Sequence, residues 1–368
     1  MLHENWSLYL NSEPCMYISE FPMYSDITVF GELLEGMGPL SFHNSLPIKQ
    51  ESSGEVVIPV VVRISNYLKP LSTDFSKSSY NHYHGGWLPD EIAALMSLAL
   101  GARFYAGDSI REFDACTSDP LGKPRFRNLV HPPLSNIPMQ RVVLPEVRQR
   151  KDLREVQFFE SFGKLSPDVA EKVVKCCRQY QNALWVSETN PELCWLMLIS
   201  AIEIAANEWA KNEQSELYNL ANSYPEFFEQ LLQNGDEDLL KSAADTFSPI
   251  TKATSKFIKF CKHFSPETLT QKDSRGFKYS STKLTNALRT IYNHRSQALH
   301  AGVPFPAPMC EPPEEYEQGI YQQVPNQLGV YMRGATWVGA DIPMTLHLFH
   351  FLAREILVKW VRSLESEG

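Results

Sequence analysis

The chain has 368 residues, of which 43% are hydrophobic and 21% charged, with a formal net charge of −9. These proportions exclude a disordered or fibrous chain, and the length predicts two domains. The longest apolar runs, Ile92–Leu100 and Val56–Val62, are far too short for a bilayer span, so no membrane partner is expected.

Residues 1–80 alternate apolar and polar in short runs broken by glycine, proline and serine. Asp26–Gly31, Leu40–His43 and the β-branched run Val56–Val62 read as strands. The dipeptide Pro89-Asp90 then opens an alanine-rich apolar run that Gly101 closes, which predicts a helix buried almost all round. Just before it, His82 and His84 alternate as a metal pair would. No Cys or Asp completes a ligand set, so a turn is expected there. The proline-rich stretch 115–150, with Pro132-Pro133, reads as a connection, and Arg148–Arg154 leads into the second domain.

From about 166 the pattern is helical. Ser166-Pro167-Asp168 starts one helix and Asn190-Pro191-Glu192 a second, whose packed face is expected to carry Leu193, Leu196, Met197, Ser200 and Ile204. Ser248-Pro249 precedes a third, with Lys252, Lys256, Lys259 and His263 on one side and Phe257, Phe260 and Phe264 on the other. A fourth runs from Thr282 to about Leu299, with Leu284, Leu288, Ile291 and Tyr292 inward and Gly302 as its stop. The proline-rich run 304–313 reads as a stiff surface loop, and Thr345–Leu364 as the last helix. The expected fold class is α+β: a mixed α/β N-terminal domain over 1–150, sensory or regulatory, then an all-α helical bundle over 151–368.

Seven cysteines without a CxxC pair predict reduced thiols. The start Met1-Leu2-His3-Glu4-Asn5 lacks signal-peptide chemistry, so a cytoplasmic protein is expected. Neither a GxxxxGK[ST] phosphate loop, a GxGxxG turn nor a GxSxG elbow occurs, and no cofactor or metal is expected. Tryptophans 185, 195, 209, 337 and 360 sit in apolar surroundings and read as core.

Charge is unevenly spread. From Lys252 to Arg295 there are ten lysines and arginines against Glu267 and Asp273, a local +8 that leaves −17 for the remainder. Lys252, Lys256, Lys259, Lys262, Lys283 and Arg289 are expected to hold a phosphate backbone, with RNA as the partner, the plain alternative being a solvated lysine-rich helix face. The basic stretch ends at Tyr292-Asn293-His294-Arg295-Ser296-Gln297-Ala298-Leu299-His300-Ala301-Gly302. A guanidinium holds phosphate through a rigid fork of donors, and an imidazole moves protons near neutral pH. The plain alternative is a pair of basic groups at a helix C-terminus, favourable to the dipole without chemistry. On an ideal helix, residues five apart diverge by about 140° and rise roughly 7.5 Å, so either the last turn distorts or a second protomer completes the site.

Arg295-x4-His300 with its Ala-Gly stop resembles the signature of the HEPN superfamily, and the wording Tyr-Asn-His-Arg-Ser-x-x-Leu-His-x-Gly is similar to its Apea-like branch. Leu198–Glu203 is similar to the earlier bundle helix with its glutamate, so the resemblance covers roughly 165–365. It implies a metal-independent endoribonuclease acting as a homodimer, with two motifs facing each other. Attack of the RNA 2′-hydroxyl would leave a 2′,3′-cyclic phosphate. His300 would transfer protons, Arg295 hold the phosphate, Asn293 orient a group beside them and Glu203 position the guanidinium. A toxin or antiviral defence role with cellular RNA such as tRNA as substrate, and an antitoxin or defence-system partner protein, also belong to the resemblance. Relatives modified by a nucleotidyltransferase antitoxin carry a tyrosine two residues past the histidine, where this chain has Gly302. The rival expectations are a non-catalytic dimerisation or RNA-binding module, and a regulatory protein whose N-terminal domain binds a small ligand.

Overall fold

The computed structural model describes residues 1–45, 55–69, 76, 83–115, 121–125, 142–210, 217, 220–221, 224–267, 279–317, 319–325 and 328–364. His82, Pro132-Pro133, Cys116, Lys272, Arg275 and Lys278 lie outside these, as does most of the 115–150 connection. The chain divides into two compact units, Met1–Leu198 with Glu311–Pro313 and Val358–Gly368, and Ile199–Cys310 with Glu314–Leu357. The division falls at Leu198/Ile199 and not at the expected 150/151.

The first unit is built on an antiparallel sheet. Strands β1 (Tyr17–Ser25), β3 (Leu33–Met37), β4 (Leu40–Asn44), β5 (Val57–Asn66), β6 (Tyr105–Ala106), β7 (Arg111–Asp114) and β8 (Lys123–Pro124) form it in the order β3-β4-β5-β1-β7-β8, with β6 also on β1. Only Val29–Phe30 (β2) of the expected strand Asp26–Gly31 forms, pairing in parallel with Lys151–Asp152 (β9). Asp26 leaves the strand pattern because its carboxylate is taken by Arg103. The central strand β1 contains Pro22, which has no N–H for the ladder. Its neighbour on one side changes there, from β7 (paired through Glu20) to β6 (paired from Met23), and the Pro22 carbonyl accepts from Gly107.

Helix α1 (Leu2–Leu10) drives Trp6 into this core, 2% exposed. A Cβ at Gly38, where φ is +56°, or at Gly163 would overlap the Trp6 indole, so both positions admit only glycine. Helix α2 (Leu88–Leu100) is buried at every position but Asp90, as its composition predicts. It packs on α3 (Pro167–Val186), which explains why the unit boundary lies beyond 150.

One ion network in this unit is fully dehydrated. Arg103, 0% exposed, donates to Asp26 Oδ2 at 2.8 Å, Glu188 Oε1 at 3.2 Å, Ser187 Oγ at 2.9 Å and the Leu184 carbonyl at 2.7 Å. Arg148 lies behind the same two carboxylates, at 3.9 and 3.8 Å. Burial, and then the like charge of Arg103, hold its pKa below the usual arginine value.

The second unit contains the end of α4 (Pro191–Trp209), then α5 (Pro225–Asn234), α6 (Glu237–Phe264), α7 (Ser281–Ala301) and the start of α8 (Leu346–Leu364). The helices are joined by two hairpins the sequence did not suggest, β10–β11 (Glu315–Glu317, Ile320–Tyr321) and β12–β13 (Gly329–Met332, Ala335–Val338). Three readings are corrected. Helix α6 starts at Asp236, whose side chain accepts from Leu239 N, and runs through Pro249 instead of beginning there. The packed face of α4 is Cys194, Trp195, Leu198, Ile199, Ile202, Ala205 and Ala206, while the expected stripe is only half-buried. Phe305, Pro306, Pro308 and Met309 are buried around a 3-10 turn, so 304–309 is not a surface loop.

Buried cysteines 176, 177, 194 and 261 are free thiols, and burial pushes the thiols of Cys176, Cys177 and Cys261 up. Among the described residues no helix is long and apolar enough to cross a membrane.

Arg103→Leu strands two buried carboxylates and should cost about 3–5 kcal/mol in denaturant unfolding; a loss below about 1 kcal/mol would contradict a dehydrated network. A second prediction concerns His347, whose pKa burial lowers from 6.5 to about 4. The folded state keeps this ring neutral while the unfolded chain protonates it. Its contribution is therefore full above pH 6.5 and falls as pH drops towards 4, by up to about 3 kcal/mol. His347→Phe should flatten the pH dependence of stability in that window.

Candidate functional site

Helix α7 is capped at both ends. Ser280 Oγ accepts from Lys283 N, and Gly302, with φ +65°, ends the helix with its N–H on the Gln297 carbonyl. Between them the helix is regular through Ala301, so Arg295 and His300 share an undistorted turn. Their side chains then diverge by about 140°. Of the two ways of uniting them, a distorted last turn or a second protomer, the first is absent.

The arginine face is built from three elements. Phe257 on α6, 0% exposed, packs its ring 5.2 Å from that of Tyr292 on α7. The Tyr292 hydroxyl donates to Glu203 Oε1 on α4 at 2.7 Å. Arg295 Nη2 donates to the other carboxylate oxygen, Oε2, at 2.9 Å, with its guanidinium 5.5 Å over the Tyr292 ring. Arg295 and Glu203 are 21% and 17% exposed, which places the pair between a screened surface bridge and a buried one. Burial, reinforced by the Glu203 hydrogen bond and charge, raises the Tyr292 pKa well above its usual value, so the phenol remains a donor. Arg295 Nε is buried without a hydrogen-bond partner. The expected link from Glu203 to Arg295 is therefore present.

The opposite face carries the histidine. Arg289, Asn293, Gln297 and His300 are all exposed, and their spacing puts them within about 80° of one another around α7. Asn293 thus accompanies His300 and not Arg295. His294 is fixed elsewhere, with Nε2 donating to the Asp341 carbonyl at 2.8 Å.

The basic residues divide between two packed helices. Lys256 and Lys259 are half-buried and Lys262 exposed on α6, opposite the buried Phe257, Phe260 and Phe264. Lys283 and Arg289 are exposed on α7, and the Lys252 side chain lies outside the described residues. Trp209 packs against Phe260, His263 and Phe264, while Trp185, Trp195 and Trp360 are core, as their surroundings suggest.

Tyr292, which the sequence places only among the inward residues of its helix, is the further member of this cluster. A tyrosine three residues before Arg295 shares its helix face, and a phenol directed inward needs a polar partner, which was the available signal. No family model, curated protein or solved structure matches the chain. Among the described residues no group of three or more His, Cys, Asp or Glu is placed to hold a metal ion.

Tyr292→Phe should cost about 1–2 kcal/mol, and in a double-mutant cycle with Glu203→Ala the two losses should couple by about 1 kcal/mol. Additive losses in chemical denaturation would contradict the shared hydrogen bond.

Proposed function

We propose that the chain is a metal-independent endoribonuclease of HEPN type, acting as a homodimer on cellular RNA in a toxin or defence role. The observation that carries this reading is the pair of opposed faces on α7: a guanidinium held by Glu203 and Tyr292 on one, His300 exposed on the other. Within one chain the two groups serve different directions. In a two-fold dimer, Arg295 of one protomer and His300 of the other can address one phosphate.

The chemistry then follows from the residues. An imidazole takes the proton of the RNA 2′-hydroxyl, and that oxygen forms a bond to the adjacent phosphorus. The bond from phosphorus to the 5′-oxygen breaks, and the imidazolium so formed supplies that oxygen with the proton. The products are a 2′,3′-cyclic phosphate and a 5′-hydroxyl. Arg295 stabilises the charge gathering on the phosphate oxygens, and Glu203 uses only one of its five donors. Exposed Lys262, Lys283 and Arg289 supply a sequence-independent hold on the backbone. Leu299 and Val303, 52% and 48% exposed beside His300, offer apolar surface for a second copy.

Purified protein incubated with total RNA in EDTA should produce fragments ending in 2′,3′-cyclic phosphate. His300→Ala and Arg295→Ala should each lower the rate by about a hundredfold or more. Equal cleavage by wild type and both variants would overturn the assignment. Retention of RNA without cleavage would favour a non-catalytic RNA-binding module.

A further inference from the structure

Beyond the arginine clamp, helices α4 and α6 meet again at a cluster of rings. Trp209 ends α4, and three rings of α6 surround it: Phe260 and Phe264 roughly edge-on, at 5.8 and 6.0 Å, and His263 at 5.1 Å. The two phenylalanines are core, 0% and 6% exposed. Trp209 is half-buried and His263 is exposed.

The histidine is the unusual member. An exposed side chain near a helix end ordinarily turns freely, with water on both faces of its ring. Here the imidazole lies only 35° from the indole plane, so one face rests on Trp209 and the other is turned to solvent. Phe264 stands against the same ring at 81° and 4.6 Å, which closes one edge. The ring is thus held before any ligand arrives, and little rotamer freedom remains to be lost on binding. A fixed aromatic face over a half-buried indole is a surface on which another flat ring can stack.

The charges around it select the kind of ring. From Lys252 to Phe264 the chain has four lysines and no acid. Lys252, Lys256, Lys259 and His263 follow one another at steps of four, three and four residues, which places them along one stripe of α6. Lys262, beside the histidine, is exposed. On the α4 side the neighbouring acid, Glu208, has its Oε2 buried. Cations beside an aromatic face suit a planar ring carried on an anionic backbone, which describes an unpaired nucleobase. In a duplex the base faces are stacked on one another and closed to such a platform. From Glu203 to Trp209 and from Phe257 to His263 is six residues, so along both helices the platform lies about 9 Å from the residues that hold Arg295 and Tyr292.

We infer that His263, backed by Trp209, is a stacking platform for an unpaired base, and that the RNA this chain takes is single-stranded beside the clamp. Naming the ligand as RNA rests on the ribonuclease reading, whereas stacking itself requires no cleavage.

The test is binding of a non-cleavable single strand, a 2′-O-methyl oligoadenylate whose blocked 2′-oxygen cannot attack, measured on the full chain by fluorescence anisotropy. Wild type should bind it, and His263→Ala, at an exposed position, should weaken binding about tenfold. His263→Phe, which keeps an aromatic ring and no cation, should stay within about twofold of wild type. The same strand paired with its complement should lose nothing in His263→Ala. No binding of the single strand by wild type, unchanged affinity in His263→Ala, an equal loss in His263→Phe, or an equal loss on the duplex would each overturn the inference. Ring-dependent binding by a chain that leaves RNA intact in EDTA would sustain the platform and remove the ribonuclease reading. Cleavage together with binding indifferent to His263 would do the reverse.

Discussion

A carboxylate that is only 17% exposed must be matched by donors, and at Glu203 that requirement organises the whole candidate site. Tyr292 satisfies one oxygen and Arg295 the other, so the guanidinium is drawn to the α4 side of α7. Phe257 backs the tyrosine ring, and the aromatic face of α6 thereby supports the arginine at one remove. Once Arg295 is committed to this side, the helical repeat sends His300 away from it. The separation of the two groups is a consequence of the clamp and the unbroken helix together, and it is why the proposed chemistry calls for a second copy of the chain.

The first unit handles buried charge differently. Arg103 is enclosed by two acids, a hydroxyl and a carbonyl, with no exposure at all. Nothing there is left to meet a ligand, and its effect is to lock Asp26, the segment after α2 and the end of α3 to one another.

Helix ends were the most legible part of the sequence, because their signals are local. Ser166-Pro167, Asn190-Pro191 and Gly302 each mark an end to within a residue. That Glu203 needs a cation was also readable, since it lies in an apolar helix; that the cation is Arg295 and no other is shown by the tertiary contact. What was not readable depended on tertiary context. Strand β1 was hidden by Pro22, which only the change of neighbour makes tolerable. The α4 face was misjudged because that helix is apolar nearly all round, and periodicity does not choose among equal faces. The start of α6 was missed because Pro249 looked like a beginning, when Asp236 had already capped the helix. The hydroxyl of Tyr292 finds its partner 89 residues away, beyond any local pattern.

The central claim is that Arg295 and His300 act on one phosphate from different protomers. Mixing inactive Arg295→Ala protein with inactive His300→Ala protein, under conditions where subunits exchange, tests it directly. A mixed dimer keeps one intact arginine and one intact histidine on opposite chains, so RNA cleavage in EDTA should return on mixing. Demonstrated subunit exchange with no return of cleavage would contradict the composite site.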